Sequence, residues 1–338
     1  MATNDMWLGQ VTEEIIDPEL PICDPHHHLW DSWAGATVDA RYLLDELLGD
    51  INTGHNIVST VFIECGTMFN ASASDMMAPV GETEFVNGIA AMSASGMYGS
   101  CRVAAGIIGT AYLSQGDGAG AVLDAHMAAG GGRFRGVRQA ATFDPSPDVG
   151  NHRTGPPADL YSLAKFREGF AHLTQRDLTF EAWCYHTQIP SLADLARAFP
   201  DTTIILNHFG GPIGVGPYAG KRDEVFAQWS ASITELSRCP NVVAKLGGLG
   251  MPVTGFGFHK APSPPTSTTF LVPTRPYFEH VIDAFGANRC MFESNFPVDK
   301  VSVSYPVLWN AFKTLTSGYS TSERASLFHD TATRVYRL

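Results

Sequence analysis

Short apolar runs rich in β-branched residues alternate with helical patterns along the whole chain, and this alternation limits the fold more than any other feature. Ile22–His28, Ile57–Cys65, Arg102–Ile108, Phe134–Gln139, Leu178–His186, Thr203–His208, Asn241–Leu246 and Arg289–Asn295 read as strands. A segment with apolar residues at helical spacing follows each of them. Unbroken βα alternation demands parallel strands joined by right-handed crossovers. Eight such units in 338 residues fit a closed (β/α)8 TIM barrel better than an open doubly wound sheet. The expected organisation is one domain over residues 1–338, with residues 1–20 as an N-terminal extension. No Gly-x-Gly-x-x-Gly or P-loop pattern follows a strand. Two connections exceed the usual length, Thr142–Pro157 and Gly247–Pro276. Both follow strands and therefore lie over the C-terminal mouth of a barrel, where substrate pockets are built. The second, residues 247–276, is expected to act as a lid, with the next helix over Tyr277–Phe285.

Composition narrows the class. Apolar residues make up 44% and charged residues 17%, as in a globular protein with a large core. A net charge of −12 argues against non-specific nucleic-acid binding and against docking on anionic membrane. No run of about 18 apolar residues exists to span a bilayer. The amino terminus lacks the basic-then-apolar order of a signal peptide. The six cysteines are scattered without a Cys-x-x-Cys pair and read as reduced thiols, so a cytoplasmic location is expected.

The chemistry gathers at strand ends. On an extended Ile22–His28, His26 and His28 point the same way and His27 the other. Neutral imidazoles held side by side are good ligands for zinc-like ions, although His-x-His alone is a weak signal. His186 ends the fifth strand and His208 the sixth, and in a barrel these ends converge on one mouth. Single strand-end histidines are commonly structural; four on three strands at one end are harder to read that way. Parity places Phe180, Ala182 and Cys184 on the face of His186, and Ile204 and Leu206 on the face of His208, which reads as inward-pointing layers.

With these residues in place, the chain resembles the amidohydrolase superfamily, in the amidohydrolase-2 branch of lactonases and metal-dependent decarboxylases. His26-x-His28, Tyr185-His186, Asn207-His208-Phe-Gly-Gly-Pro212 and Phe292-Glu-Ser-Asn-Phe-Pro297 carry the resemblance, in family order, over nearly the whole chain. It implies that His26, His28, His186 and His208 ligate a divalent metal, with Zn2+ the leading choice, or bind substrate directly. The pattern also has an Asp, as metal ligand and general base, where this chain has Asn295. An amide cannot take a proton from water. Three readings follow: a metal held by histidines and the Asn295 oxygen, a site that works without metal, or another carboxylate in the role of the base.

Glu293 is the leading replacement, lying two residues before Asn295; its bland alternative is a buried pair with Lys245 of the seventh strand. Glu64 and Asp24 are further carboxylates near strand ends. Related lactonases grip substrate carboxylates with arginines at the end of the fourth strand, where this chain has Arg135 and Arg138. Their parity is opposite, and Arg138 is the better placed. Trp30 and Tyr185 are expected at an apolar rim. The expected activity is hydrolysis of a lactone or cyclic ester of a carboxylated ring, catalysed by His186, His208, Glu293, Asn295 and Glu64. A non-oxidative decarboxylase is the second reading, and a ligand-binding barrel without catalysis the third. The partner is a small molecule, and the family habit leaves room for a homo-oligomer.

Overall fold

Eight strands pair in sequence order, all parallel. They are β1 (Ile22–His27), β2 (Ile57–Ile63), β3 (Arg102–Thr110), β4 (Phe134–Arg138), β5 (Thr179–Ala182), β6 (Ile204–Leu206), β7 (Val242–Leu246) and β8 (Cys290–Phe292). The computed structural model describes residues 3–31 and 40–338. The segment after β8 closes the ring onto β1: the Asn295 amide donates to the His26 carbonyl (3.0 Å) and the His28 amide to the Phe296 carbonyl (2.8 Å). The result is a single-domain (β/α)8 barrel with helices between the strands. Among the described residues, no helix is long and apolar enough to cross a membrane.

Side-chain direction on β5 and β6 is the reverse of the expected parity. Phe180, Ala182, Cys184, Ile204 and Leu206 belong to the core between strands and helices, with Phe166, Phe170 and Trp229. The barrel interior is instead filled by Val61, Ile63, Ile108, Ile205, Val243 and Met291, and closed below by Val335 and Tyr336 of the C-terminal helix Thr331–Tyr336. The amphipathic helices need an apolar strand face to cover, and they take the one richest in large apolar groups. Glu181, Lys245 and Glu293 are buried toward the axis, where they bond with one another and with Tyr336.

β5 and β6 also end early, at Ala182 and Leu206, so neither His186 nor His208 lies on a strand. Each opens a short 3-10 turn, His186–Gln188 and His208–Gly210. At His208 the backbone enters the left-handed region (φ 51°), which is how its ring is re-aimed to the mouth.

The expected lid needs a second correction. Its last ten residues are helical, because the helix covers Ser267–Phe285 rather than starting at Tyr277. The Thr266 hydroxyl caps it by accepting from the Thr269 amide (3.1 Å). Pro273 and Pro276 lie inside this helix and disguise it in the sequence. The carbonyl that Pro276 leaves unbonded belongs to Val272, which is 73% exposed and faces water. The remainder of the segment, through Met251, Pro252, Val253, His259 and Lys260, walls the main cavity over the mouth.

Candidate active site

Glu293 follows β8 directly and points into the barrel between two imidazoles. Its Oε1 accepts from His208 Nδ1 at 2.7 Å, and its Oε2 lies 2.6 Å from His26 Nδ1. The second contact is off the hydrogen-bond direction, so Oε2 is a buried oxygen without a hydrogen bond. The two rings stand 4.5 Å apart, and His28 packs edge-on against His26 at 5.0 Å. Two consecutive glycines after β7 make room for this group. A Cβ on Gly247 would meet the Glu293 carbonyl oxygen at 2.3 Å, and one on Gly248, where φ is 82°, would meet His208 Nδ1 at 2.6 Å.

Burial sets the charge of these groups. It holds His26, His28 and His208 well below the ordinary imidazole range, so all three rings are neutral at pH 7. Burial also pushes the Glu293 carboxyl up to about 8, against the downward pull of Lys245. The Lys245 ammonium donates to the Pro25 carbonyl (2.8 Å) and pairs with Glu181 (3.0 Å). It lies 3.5 Å from His26 Nδ1 and 4.0 Å from Glu293 Oε2. Glu181 also accepts from the Tyr336 hydroxyl and the Asn207 amide.

A second buried carboxylate, Glu64, follows β2 and has a different environment. Arg138 Nε donates to Oε1 at 2.7 Å, and Arg153 Nη2 and the Thr110 hydroxyl donate to Oε2 at 2.8 and 2.9 Å. Burial works to raise its pKa, but the two guanidiniums outweigh burial and hold the carboxyl well below the usual range. Glu64 is therefore a fixed anion that anchors arginines, which replaces its expected role as a base. Arg138 is fully engaged by Glu64 and is 5% exposed, with Nη1 turned to His26 Nε2 at 3.5 Å. Arg153 is 36% exposed and lines the cavity.

That cavity, about 530 Å3, sits over the mouth. Thr142, Val149, Trp183, Tyr185, Met251 and Val253 give it apolar and hydroxyl surface; Arg153 and Lys260 bring positive charge and Asp148 negative charge. Trp183 ties it to the buried group through an edge-on contact with the His208 ring at 4.8 Å.

Tyr185 lines the cavity, its hydroxyl donating to the Gly150 carbonyl (2.8 Å). Trp30 is buried behind His28, in ring contact at 6.1 Å, and is not among the lining residues. Arg135 turns to the opposite end of the barrel, where it donates to the carbonyls of Gly132, Tyr336 and Arg337. Asn295 directs its amide to Asp299 (2.9 Å), away from Glu293. Asp299 also accepts from the Gly250 amide, and burial pushes it up to about 7. Asp24 accepts from Tyr305 and the Ser294 amide. His28 Nδ1 bonds the Ile63 carbonyl (2.8 Å). His186 lies apart from the cluster, edge-on to Tyr218, with Nε2 buried and unpartnered.

The four-histidine metal set is thus not gathered as expected. Among the described residues, the metal-capable donors are His26, His208 and Glu293, which lie within 4.8 Å of one another. Two imidazoles and a carboxylate fit a divalent ion by chemistry, and the unbonded Glu293 Oε2 is a free ligand atom.

Sequence reasoning did not pick out Arg153, Trp183 or Glu181. Arg153 could have been found, since it lies in the long connection Thr142–Pro157 already assigned to the mouth. Glu181 and Trp183 were hidden by the inverted parity of β5.

Comparison with known proteins agrees with this architecture. The amidohydrolase-2 family model, described as "Amidohydrolase", matches residues 23–338. An uncharacterised protein of Sinorhizobium fredii, y4mH, is 34% identical over 337 residues, covering 95% of this chain and 99% of that protein. An L-fucono-1,5-lactonase of Burkholderia multivorans is 28% identical over 191 residues, covering 55% of this chain and 62% of the lactonase. Among solved structures, a zinc-bound amidohydrolase from Burkholderia multivorans superposes with a TM-score of 0.71 at 24% identity, over 94% of this chain and 99% of that one. With its motifs in order, its barrel closed and the family match running from Cys23 to Leu338, this chain belongs to the amidohydrolase-2 family.

Proposed function

We propose that this enzyme hydrolyses a lactone or cyclic ester carried on a carboxylated ring. The observation that carries the reading is Glu293 held between His26 and His208 below a cavity that presents Arg153. A lactonase name among the relatives supports the reaction class.

The ring lies against Trp183, Tyr185, Val149 and Met251, and its carboxylate pairs with Arg153, whose guanidinium Glu64 holds in place. Lys260 adds to the positive field at the rim. His208, neutral and bonded through Nδ1 to Glu293, takes a proton from the attacking water on its other nitrogen, and the Glu293 contact fixes the tautomer that leaves that nitrogen free. Arg138, beside His26, stabilises negative charge that develops near the floor. His26, His208 and Glu293 would hold a divalent ion, which would supply Lewis-acid polarisation.

Decarboxylation is the second reading, and one observation favours it. A carboxyl raised to about 8 holds a proton at neutral pH, and protonating a ring carbon needs such an acid. A panel of sugar lactones, carboxylated pyrones and arylcarboxylates separates the two by product. Ring opening with uptake of water and no CO2 is expected; CO2 release without ring opening overturns the lactonase reading. Inactivity of wild type and of Asn295→Asp on the whole panel returns the barrel to ligand binding.

A further inference from the structure

The cluster holds a feature that the reaction above does not use, a lysine fully buried on the barrel axis beside the metal-capable donors. Lys245 is 0% exposed, and its ammonium lies 3.5 Å from His26 Nδ1 and 4.0 Å from Glu293 Oε2. It is fixed from below by the Pro25 carbonyl and Glu181, and it lies over the Tyr336 ring at 5.4 Å. It therefore cannot swing out into solvent. The carboxyls facing it inside the barrel are Glu181 and Glu293, and its own positive charge already offsets one of them.

A divalent ion among His26, His208 and Glu293 would add two positive charges a few ångströms from this ammonium, among buried side chains. Like charges at that range repel strongly in a buried setting. We propose that Lys245 is the resident cation of this centre and sets its metal affinity: the ammonium stands in for part of the charge of an ion and makes metal binding weak. This inference concerns ion binding alone, so it holds or fails whatever the substrate proves to be.

The test is a Zn2+ titration of chelator-treated, desalted full-length protein against a chromophoric competitor chelator, with metal content after dialysis as a second readout. Lys245→Met removes the cation but leaves Glu181 with one partner fewer, so Lys245→Met/Glu181→Gln is measured beside it, each checked by thermal melting. The lysine-free proteins should bind one Zn2+ at least tenfold more tightly than wild type, and Glu293→Gln in the double variant should abolish the gain. Wild type that binds Zn2+ as tightly as the folded lysine-free variants, or more tightly, overturns the proposal. A gain that survives Glu293→Gln overturns it too, because the ion would then lie elsewhere.

Discussion

Glu64 and Glu293 are both buried carboxyls at strand ends, and the barrel gives them opposite tasks. Glu64 meets two guanidiniums and a hydroxyl, is held well below the usual range, and stays an anion at any working pH. Glu293 meets two neutral imidazoles, with a lysine one step further off, and is pushed up to about 8. Burial alone would raise both; the hydrogen-bonded neighbours decide which carboxyl ionises. A fixed anion is suited to orienting cationic groups, and a carboxyl near neutrality is suited to moving protons. Glu64 thus holds Arg153 at the cavity, and Glu293 is the carboxyl suited to the proposed reaction.

Changing Glu293 should break this contrast most severely. Glu293→Gln keeps the volume and an acceptor for His208 but removes the acid, and kcat should fall about 10^3-fold or more with KM nearly unchanged, read in steady-state kinetics. Glu64→Gln should act through structure instead. It leaves the buried Arg138 without its counter-charge, so stability should drop by about 3–5 kcal/mol in denaturant melts. KM should rise as Arg153 loses its anchor.

Arg153→Met should raise KM roughly 10- to 100-fold for carboxylated substrates, with a much smaller effect on uncharged lactones, measured as the ratio of kcat/KM values. Arg135→Ala is the control, because its guanidinium serves the far end of the barrel. Its kinetics should match wild type while melting temperature falls by a few degrees.

The two carboxyls also predict opposite pH dependences of stability. Glu64 has a depressed folded pKa, so its contribution is present above about pH 4.5 and is lost as pH falls toward the folded value. Glu293 has a raised folded pKa, so in metal-free protein the folded state holds a proton that the unfolded state has released between about pH 4.5 and 8. Its effect therefore erodes stability as pH rises through that window, by at most about 1.4 kcal/mol per pH unit. Melts of Glu64→Gln should lose part of the acid sensitivity of wild type, and melts of Glu293→Gln part of the decline toward pH 8.

The sequence-based reading succeeded where one periodicity decided the answer. Alternating strands and helices identify the barrel, and strand ends identify the mouth where His26, His208 and Glu64 lie; Glu293 is legible only through the resemblance that marks Asn295. It failed where the choice lay between two faces of one strand. Phe180 and Ile204 looked inward by parity, yet helix cover claimed them and left Glu181 and Lys245 on the axis. A short stretch of turn can also redirect one side chain independently of strand pattern, as φ 51° does at His208. Asn295 stood where a base was expected, but its bond to Asp299 is a tertiary contact that no local spacing encodes. Pro273 and Pro276 masked a helix that Thr266 starts and a solvated face tolerates.

Two similar buried carboxyls thus sit in opposite protonation states. Infrared difference spectra between wild type and each Gln variant, on metal-free protein at pH 6, test it directly. A protonated-carboxyl C=O band should be missing in Glu293→Gln, retained in Glu64→Gln, and lost from wild type as pH is raised through about 8. A Glu293 band that is already absent at pH 6, or a protonated band assigned to Glu64 by its own variant, would contradict the division of labour proposed for the two sites.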